Sequence, residues 1–392
     1  MAGVQQVAAP RPASRRWLGT AIDVVLAAAA VGWFVHESQA LDTAALDIRV
    51  YRDAARALLD GGEVYSGRFD GLPFTYPPFA LLVFVPLAVL PTPAAVVLMF
   101  LASAAALVCV VRWCQDYATD GDAGPWWRTV SVAAVVSIAL EPLHMTFGLG
   151  QVNLLLMALV LGVDARATRW AGAGAGLATA IKVTPGLLVV AQVVRGDLRA
   201  FGRGVLAFLA ATALAAVIAP AATRTYFTSL LWDSSRPGGL TYLQNQSLRG
   251  LAERHVEGHA TAAWLVAAGL ALALGAWVVR RHRADAFYAL TAAAVTGLLV
   301  SPISWSHHWV WVLPALAVGV RLGWRSPVLW VSVGLVVAMV AVTWWWVTAD
   351  AALLAQDVYV TGGILWLAAS AAQRAPRDGR GSVPPGPPTP AS

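Results

Sequence analysis

Trp170–Val194, WAGAGAGLATAIKVTPGLLVVAQVV, decides how the rest of the chain is threaded. As a helix it is long enough to cross a bilayer once. Yet arginine-bearing stretches flank both ends, Asp164–Arg169 before it and Arg195–Arg203 after it. Positive residues collect on the cytoplasmic side, so the segment begins and ends on one side of the membrane. The expectation is a hairpin of two half-helices turning near Lys182-Val183-Thr184-Pro185. Non-helical backbone at depth is tolerated only where it is buried or lines a cavity. Lys182 is the only lysine in the chain, and an ammonium there costs about 2.5–3.5 kcal/mol on insertion scales. A compact point charge at such a place suits a phosphate. An ion pair with a buried acid such as Glu141 is the structural alternative.

Composition sets the class. The chain has 392 residues, 58% hydrophobic and 12% charged, with mean hydropathy +0.66. That excludes a soluble globular protein and reads as an all-α polytopic membrane protein. The net charge of +6 sits in loops, as the positive-inside bias requires, and implies no nucleic acid. Cys109 and Cys114 belong to one apolar segment and its exit, so a disulfide framework is not expected.

Working outward from the hairpin, 1–16 reads as a short, disordered cytoplasmic N-terminus. A single membrane domain covers 17–373, and 374–392 is a Pro/Gly-rich, disordered cytoplasmic tail. The expected spans are Trp17–Val35, Ala94–Val111, Val130–Phe147, Leu154–Val163, Gly204–Ala222, Ala260–Val279, Ala286–Val300, Trp309–Val320, Val328–Val347 and Ala352–Ala372. Phe79–Leu90, crowded by prolines, is a short external or re-entrant piece. This makes about ten full crossings plus two partial pieces, with both termini inside. Residues 36–78 and 223–259 are external loops, Gly148–Asn153 is an external turn, and Trp113–Arg128 is a cytoplasmic loop.

The first loop holds Asp47–Pro78, within LDIRVYRDAARALLDGGEVYSGRFDGLPFTYPPF, the most charged stretch of the chain. Read as a helix from Asp47 to Asp60, it places Arg49, Arg52, Asp53, Arg56 and Asp60 on one arc. Arg49–Asp53 and Arg56–Asp60 are i,i+4 pairs there. Ile48, Tyr51, Ala54, Ala55, Leu58 and Leu59 fall on the other arc, and Asp47 falls with them, roughly 20° from Leu58. A lone carboxylate turned toward protein or lipid is expensive and tends to be functional; as an N-cap it would instead satisfy free backbone N–H groups. Thr75-Tyr76-Pro77-Pro78 closes the loop, the prolines setting the entry to the next helix.

Three further clusters fall on the same side. Glu141, His144, Gln151 and Asn153 surround the second external turn; Gln151 and Asn153 are suited to sugar hydroxyls, being donor and acceptor at once, or to capping the helix from Leu154. TYLQNQSLRGLAER, Thr241–Arg254, offers Asn245 and Gln246 for hydroxyls and Arg249 for an anion, or is a solvated loop face. SPISWSHHWVW, Ser301–Trp311, sets His307 and His308 among Trp305, Trp309 and Trp311. Trp marks membrane interfaces and also stacks on sugar rings. Tandem histidines cannot both bind one metal from a regular helix, so no metal site is expected. Tyr51, Tyr76, Gln151, Asn153, Asn245, Gln246 and Trp305 are the candidate acceptor or sugar contacts.

Taken in order, LDIRVYRDAARALLDGGEVY, LPFTYPPFALLVFVPLAVLP, GLGQVNLLLMALVLGVD, GLATAIKVTPGLLVV, NQSLRGL and SPISWSHHWVW resemble the actinobacterial polyprenyl-phosphate-mannose-dependent α-mannosyltransferases, glycosyltransferase family 87. The resemblance runs from about Asp47 to Trp311. It implies the GT-C membrane fold, a plasma-membrane site on the external face, and an acid of the first loop acting as general base, here Asp47. It also implies a histidine near the reaction centre, here His307 or His308. The implied substrates are polyprenyl-phosphate-mannose and a mannosylated glycolipid (phosphatidylinositol mannoside, lipomannan or lipoarabinomannan), with an α, α-1,2, linkage formed and no cofactor. Lys182 and Arg249 are read from their chemistry as donor-phosphate contacts. A transporter or flippase for a lipid-linked sugar is the rival, since a broken hairpin with a midplane charge suits one too.

Overall fold

The computed structural model describes residues 45–166, 168–233, 236, 238–345 and 357–373, with a few isolated positions between 21 and 32. The expected N-terminal segment 1–16, most of the span Trp17–Val35, and the tail 374–392 lie outside the described residues.

The described chain is helical apart from one two-stranded hairpin. In order it forms α1 (Leu46–Leu59), β1 (Arg68–Phe69), β2 (Leu72–Pro73), α2 (Pro78–Ala88), α3 (Thr92–Ala118), α4 (Trp126–Ala139), α5 (Glu141–Leu149) and α6 (Asn153–Val160). The π turn Leu161–Ala165 then leads to α7 (Ala173–Ile181), α8 (Gly186–Arg195), α9 (Leu198–Ile218) and α10 (Pro220–Thr228). After the 3₁₀ turn Leu230–Trp232 come α11 (Leu248–His255), α12 (Ala260–Arg281) and α13 (Ala286–Val300). The 3₁₀ segment Ser306–Trp311 runs into α14 (Val312–Leu322), followed by α15 (Pro327–Trp345) and α16 (Val358–Ala372).

Among the described residues three helices, α3, α9 and α12, are long and apolar enough to cross a membrane, and α4 with α5 makes a fourth if a bent pair counts as one span. The other expected crossings are shorter or broken. Val130–Phe147 is not straight: α4 and α5 meet at 85°, because Pro142 in the first turn of α5 cannot donate a helical hydrogen bond and crowds the preceding turn. The expected Trp113–Arg128 loop is mostly helix, since α3 continues to Ala118.

The hairpin at Lys182 is present. A Cβ on Gly172 or Gly176 would collide with the backbone of Ala200 or Gly204, so α7 and α9 run side by side in the same direction at glycine contact. Val189 of α8 also packs on Gly204, and α8 leads into α9 through a short turn, so α8 runs antiparallel to both. The Asp164 carboxylate accepts N–H bonds from Gly172 (2.8 Å), Gly174 (3.1 Å) and Ala175 (2.7 Å), holding the free start of α7. The arginine-bearing loops gather at this end of the bundle. Arg195 reaches the Arg283 carbonyl, Tyr117 donates to Asp285, Arg321 pairs with Asp120, and Arg281 bonds the Gln373 carbonyl. The turn at Lys182 points toward the opposite end.

At that opposite end α1 lies across the bundle. Its apolar face (Ile48, Val50, Tyr51, Ala54, Ala55) is buried, and Tyr51 stacks flat on Phe84 of α2 at 4.3 Å. Asp47 is not the N-cap. The helix starts at Leu46, Ala45 turns into it with φ 58, and no side chain caps it; the Ala45 N–H instead donates to the Gly148 carbonyl at 2.7 Å. Of the two expected ion pairs only Arg56–Asp60 forms, at 3.6 Å. Arg49 pairs with Asp70 of the β1–β2 hairpin and Arg52 takes Asp53, because the hairpin folds back over the wet arc.

Candidate active site

A cavity of about 950 Å³ opens at the α1 end, and Asp47, Tyr76, Gln151, Lys182, Trp305 and His308 all line it. These residues come from α1, the segment before α2, the α5–α6 turn, the α7–α8 turn and the tandem-histidine segment. Five stretches distant in sequence converge on one space.

Asp47 is held from two sides. Gln151 hydrogen-bonds its carboxylate and the Lys182 charge faces it. Burial pushes the Asp47 carboxyl up from 3.8 to about 6, a rise that the Gln151 bond and Lys182 moderate. The Gln151 Oε1 accepts from Tyr51 and Tyr76, both at 3.0 Å, and the two phenol oxygens lie 2.7 Å apart. With Oε1 turned to the tyrosines, the amide N–H groups are left for Asp47. Tyr51 is fully buried behind Tyr76 and off the cavity lining, so it orients Gln151 and Tyr76 rather than touching a sugar.

Lys182 Nζ donates to Asn153 Oδ1 at 2.9 Å and lies 3.0 Å from His308 Nε2. It also sits 5.5 Å over the Tyr76 ring. For Nε2 to accept from an ammonium, His308 must be neutral with its proton on Nδ1. Glu141 is not the partner of Lys182: its carboxylate accepts from Ser306 (2.6 Å) and Tyr359 (2.9 Å). Asn153 does not cap α6 and does not line the large cavity, although it borders a small slot behind Lys182. Its Nδ2 donates to the His307 carbonyl at 2.9 Å, where Thr146 also donates at 3.1 Å. Asn153 thus ties Lys182 to the tandem-histidine segment. Beyond Lys182 and His308, a narrow apolar slot of about 60 Å³ runs between Met157, Leu188, Gly297 and Trp311.

The other expected contacts are placed differently. His308 faces the cavity; the His307 ring is turned away, buried, and edge-on to His308 at 4.7 Å. Asn245 is fully buried, donating to the Leu240 (3.0 Å) and Pro302 (3.2 Å) carbonyls and accepting from Ser304 N–H (3.0 Å). Gln246 donates to the Leu243 carbonyl at 2.8 Å, and its own carbonyl accepts from the Trp309 indole at 3.1 Å. Both residues brace loops and do not line the cavity. Arg249 also lies off it, pairing with Glu253 one helical turn on (2.5 Å) and lying 5.2 Å from the Trp264 ring. Two arginines that the sequence reading did not single out, Arg68 and Arg236, do line the cavity. The available signal for Arg236 was its place before Pro-Gly-Gly in the loop expected to be external. Among the described residues no group of three or more His, Cys, Asp or Glu is placed to hold a metal ion.

The sequence model of glycosyltransferase family 87 matches residues 74–302. The polyprenol-phosphate-mannose-dependent alpha-(1-2)-phosphatidylinositol mannoside mannosyltransferase of Mycobacterium tuberculosis (strain ATCC 25618 / H37Rv) is 36% identical over 304 residues, 71% of each chain. The protein of the same name from Mycolicibacterium smegmatis (strain ATCC 700084 / mc(2)155) is 34% identical over 333 residues, 76% of this chain and 75% of that one. The polyprenol-phosphate-mannose-dependent alpha-(1-2)-phosphatidylinositol pentamannoside mannosyltransferase of M. tuberculosis (strain CDC 1551 / Oshkosh) is 35% identical over 282 residues, 69% of this chain and 65% of that one. No solved structure matches. With its apolar helices and a match over most of its length, the chain is a membrane-embedded glycosyltransferase and belongs to glycosyltransferase family 87.

Proposed function

We propose that the protein moves mannose from a polyprenyl-phosphate-mannose to a hydroxyl of a mannosylated phosphatidylinositol lipid, forming an α-(1-2) linkage. The relatives' names supply donor and acceptor class. The observation that carries the reading is a carboxylate, Asp47, across one cavity from an ammonium and an imidazole, Lys182 and His308. Asp47 takes the acceptor O–H proton while that oxygen bonds to C1 of the mannose. The C1–O bond to phosphate breaks, and its electron pair leaves on the lipid phosphate. One displacement turns a β donor into an α product and needs a single base. A base titrating at about 6 is ionised at neutral pH and basic enough to accept the proton.

Lys182 and His308 hold the charge that grows on the leaving phosphate, which gives side chains the part a metal ion plays elsewhere. The apolar slot behind them suits the first carbons of the polyprenyl chain. Tyr76, Gln151 and Trp305 face the sugars; Asn153, Tyr51 and His307 position those that do. We further place this site on the external face of the plasma membrane, within a GT-C domain of about ten crossings with both termini cytoplasmic. The gathering of arginine-bearing loops at the end away from the cavity supports that orientation. Family membership favours transfer over the transporter reading. Radiolabelled mannose transfer from lipid donor to phosphatidylinositol mannoside by purified protein tests it; donor crossing a vesicle bilayer without transfer would sink it.

A further inference from the structure

We propose that the Arg68 and Arg236 end of the cavity holds the phosphodiester of the phospholipid acceptor, an anion site distinct from the one at Lys182. The proposal rests on the transfer reading above. Most arginines at this end of the molecule are paired with carboxylates: Arg49 with Asp70, Arg52 with Asp53, Arg56 with Asp60, Arg249 with Glu253 and Arg254 with Asp357. Among the described residues no carboxylate pairs with Arg68 or Arg236, and both line the cavity. Asp233 shares that wall, so the lining sets Arg68, Lys182 and Arg236 against Asp47 and Asp233. Cations remain in the majority.

The Arg236 side chain is oriented in advance. Its Nη2 donates to the Tyr65 carbonyl at 2.9 Å and reaches the Phe74 carbonyl at 3.4 Å, while Nε is buried with no partner. A guanidinium has five N–H donors in a fixed fork, matched to the paired oxygens of a phosphodiester. Arg68 Nη1 is tied to the Gly71 carbonyl at 2.9 Å, which keeps its head at the tip of the β1–β2 hairpin. The segment Phe74–Tyr76 separates the two anion sites, with the Phe74 carbonyl toward Arg236 and the Tyr76 ring beneath Lys182. The acceptor's sugar then lies between its own phosphodiester and the donor phosphate.

The surroundings favour a lipid over a free phosphate. On α9, Val217 is 80% exposed and Ile218 53%, and past α10 Trp232 is 77% exposed beside the cavity residues Leu230 and Leu231. Exposed aliphatic residues ending in a Trp mark a lipid-facing surface reaching the interface. A phospholipid with its chains on that surface brings its phosphodiester to Arg236.

The test compares two acceptors with one donor: a phosphatidylinositol mannoside and the neutral octyl α-mannoside. Arg236→Gln is expected to raise KM for the phosphoinositide roughly 10-fold or more, with Arg68→Gln adding to it. The KM for octyl α-mannoside, the donor KM and kcat stay unchanged, and Arg236→Lys recovers part of the loss. Equal losses on both acceptors, or no loss on either, overturn the proposal. Inorganic phosphate should not compete with the phosphoinositide; competition that Arg236→Gln abolishes would make this a free-phosphate site and overturn the lipid assignment. Native mass spectrometry supplies a readout without turnover, namely retention of phosphatidylinositol over diacylglycerol by wild type and its loss in Arg236→Gln. A wild type that transfers mannose to neither acceptor sinks the transfer reading, while Arg236-dependent retention still decides the anion site.

Discussion

Two neighbouring segments, Thr241–Arg249 and Ser301–Trp311, are each crowded with polar side chains, amides in the first and imidazoles and hydroxyls in the second, and meet at a backbone bridge between Asn245 and Trp305. They are put to different uses. In the first, Asn245 and Gln246 spend their amides on backbone carbonyls and an N–H of nearby loops. In the second, Ser306 and the His307 carbonyl are likewise consumed, by Glu141 and by Asn153 and Thr146, yet His308 keeps its ring on the cavity beside Lys182. Burial alone does not distinguish a brace from a reacting group. What distinguishes them is whether an atom is left facing open space once the backbone has been satisfied.

That contrast breaks or holds first at Asp47. Asp47→Asn is expected to cut single-turnover mannose transfer by at least roughly 10²–10⁴-fold, while Asp53→Asn, on the wet arc with Arg52, changes little. Because folding raises the Asp47 pKa from 3.8 to about 6, any stability due to its protonated form is full below 3.8 and lost as pH rises to about 6. The unprotonated enzyme at pH 7 therefore carries the cost of a buried charge. Asp47→Asn should melt no lower than wild type there, and a brace would melt lower. The wild-type rate, which needs the ionised form, should fall about tenfold per pH unit below about 6. A rate flat down to pH 5 would move the base elsewhere.

Next in size is Lys182. Lys182→Ala should weaken donor use by roughly 10–150-fold, the range of one charged hydrogen bond, and Lys182→Arg should restore only part, its fork being larger and planar. Unchanged donor KM with less folded protein would make Lys182 a brace. Asn245→Ala should show the converse: a loss of about 1–3 kcal/mol from buried groups left unpaired, read as a lower melting temperature, with donor and acceptor KM intact in the folded fraction. The smallest effect belongs to Arg249. Its pair with Glu253 and its place over Trp264 are together worth about 1 kcal/mol or less, so Arg249→Gln should leave donor KM alone. A tenfold rise in donor KM would return Arg249 to the site.

Much of the path to the site was legible. The apolar run Ala286–Val300 is a helix with those bounds, and the prolines at Pro77 and Pro78 start α2 where expected. The odd carboxylate of α1 does face a cavity. The Lys182 hairpin follows from arginines on both flanks, a charge argument needing no knowledge of neighbours. Less legible was anything depending on direction. His307 and His308 stand roughly 120° apart on a 3₁₀ turn, and no pattern within SWSHHW says which of them faces inward. Arg249 and Arg236 are both loop arginines in the sequence; Glu253 one turn away claims the first.

What contiguous residues determine by themselves is the membrane class, the proline-set start of α2 and the reversal at Lys182, because hydrophobic runs, prolines and flanking charge act locally on the backbone. Which polar atoms remain available was decided only when distant segments met. Gln151 finds Tyr51 across 100 residues, Lys182 finds His308 across 126, and Glu141 finds Tyr359 across 218. A buried polar side chain takes whatever partner the packing brings within about 3 Å, and only the assembled bundle supplies those partners.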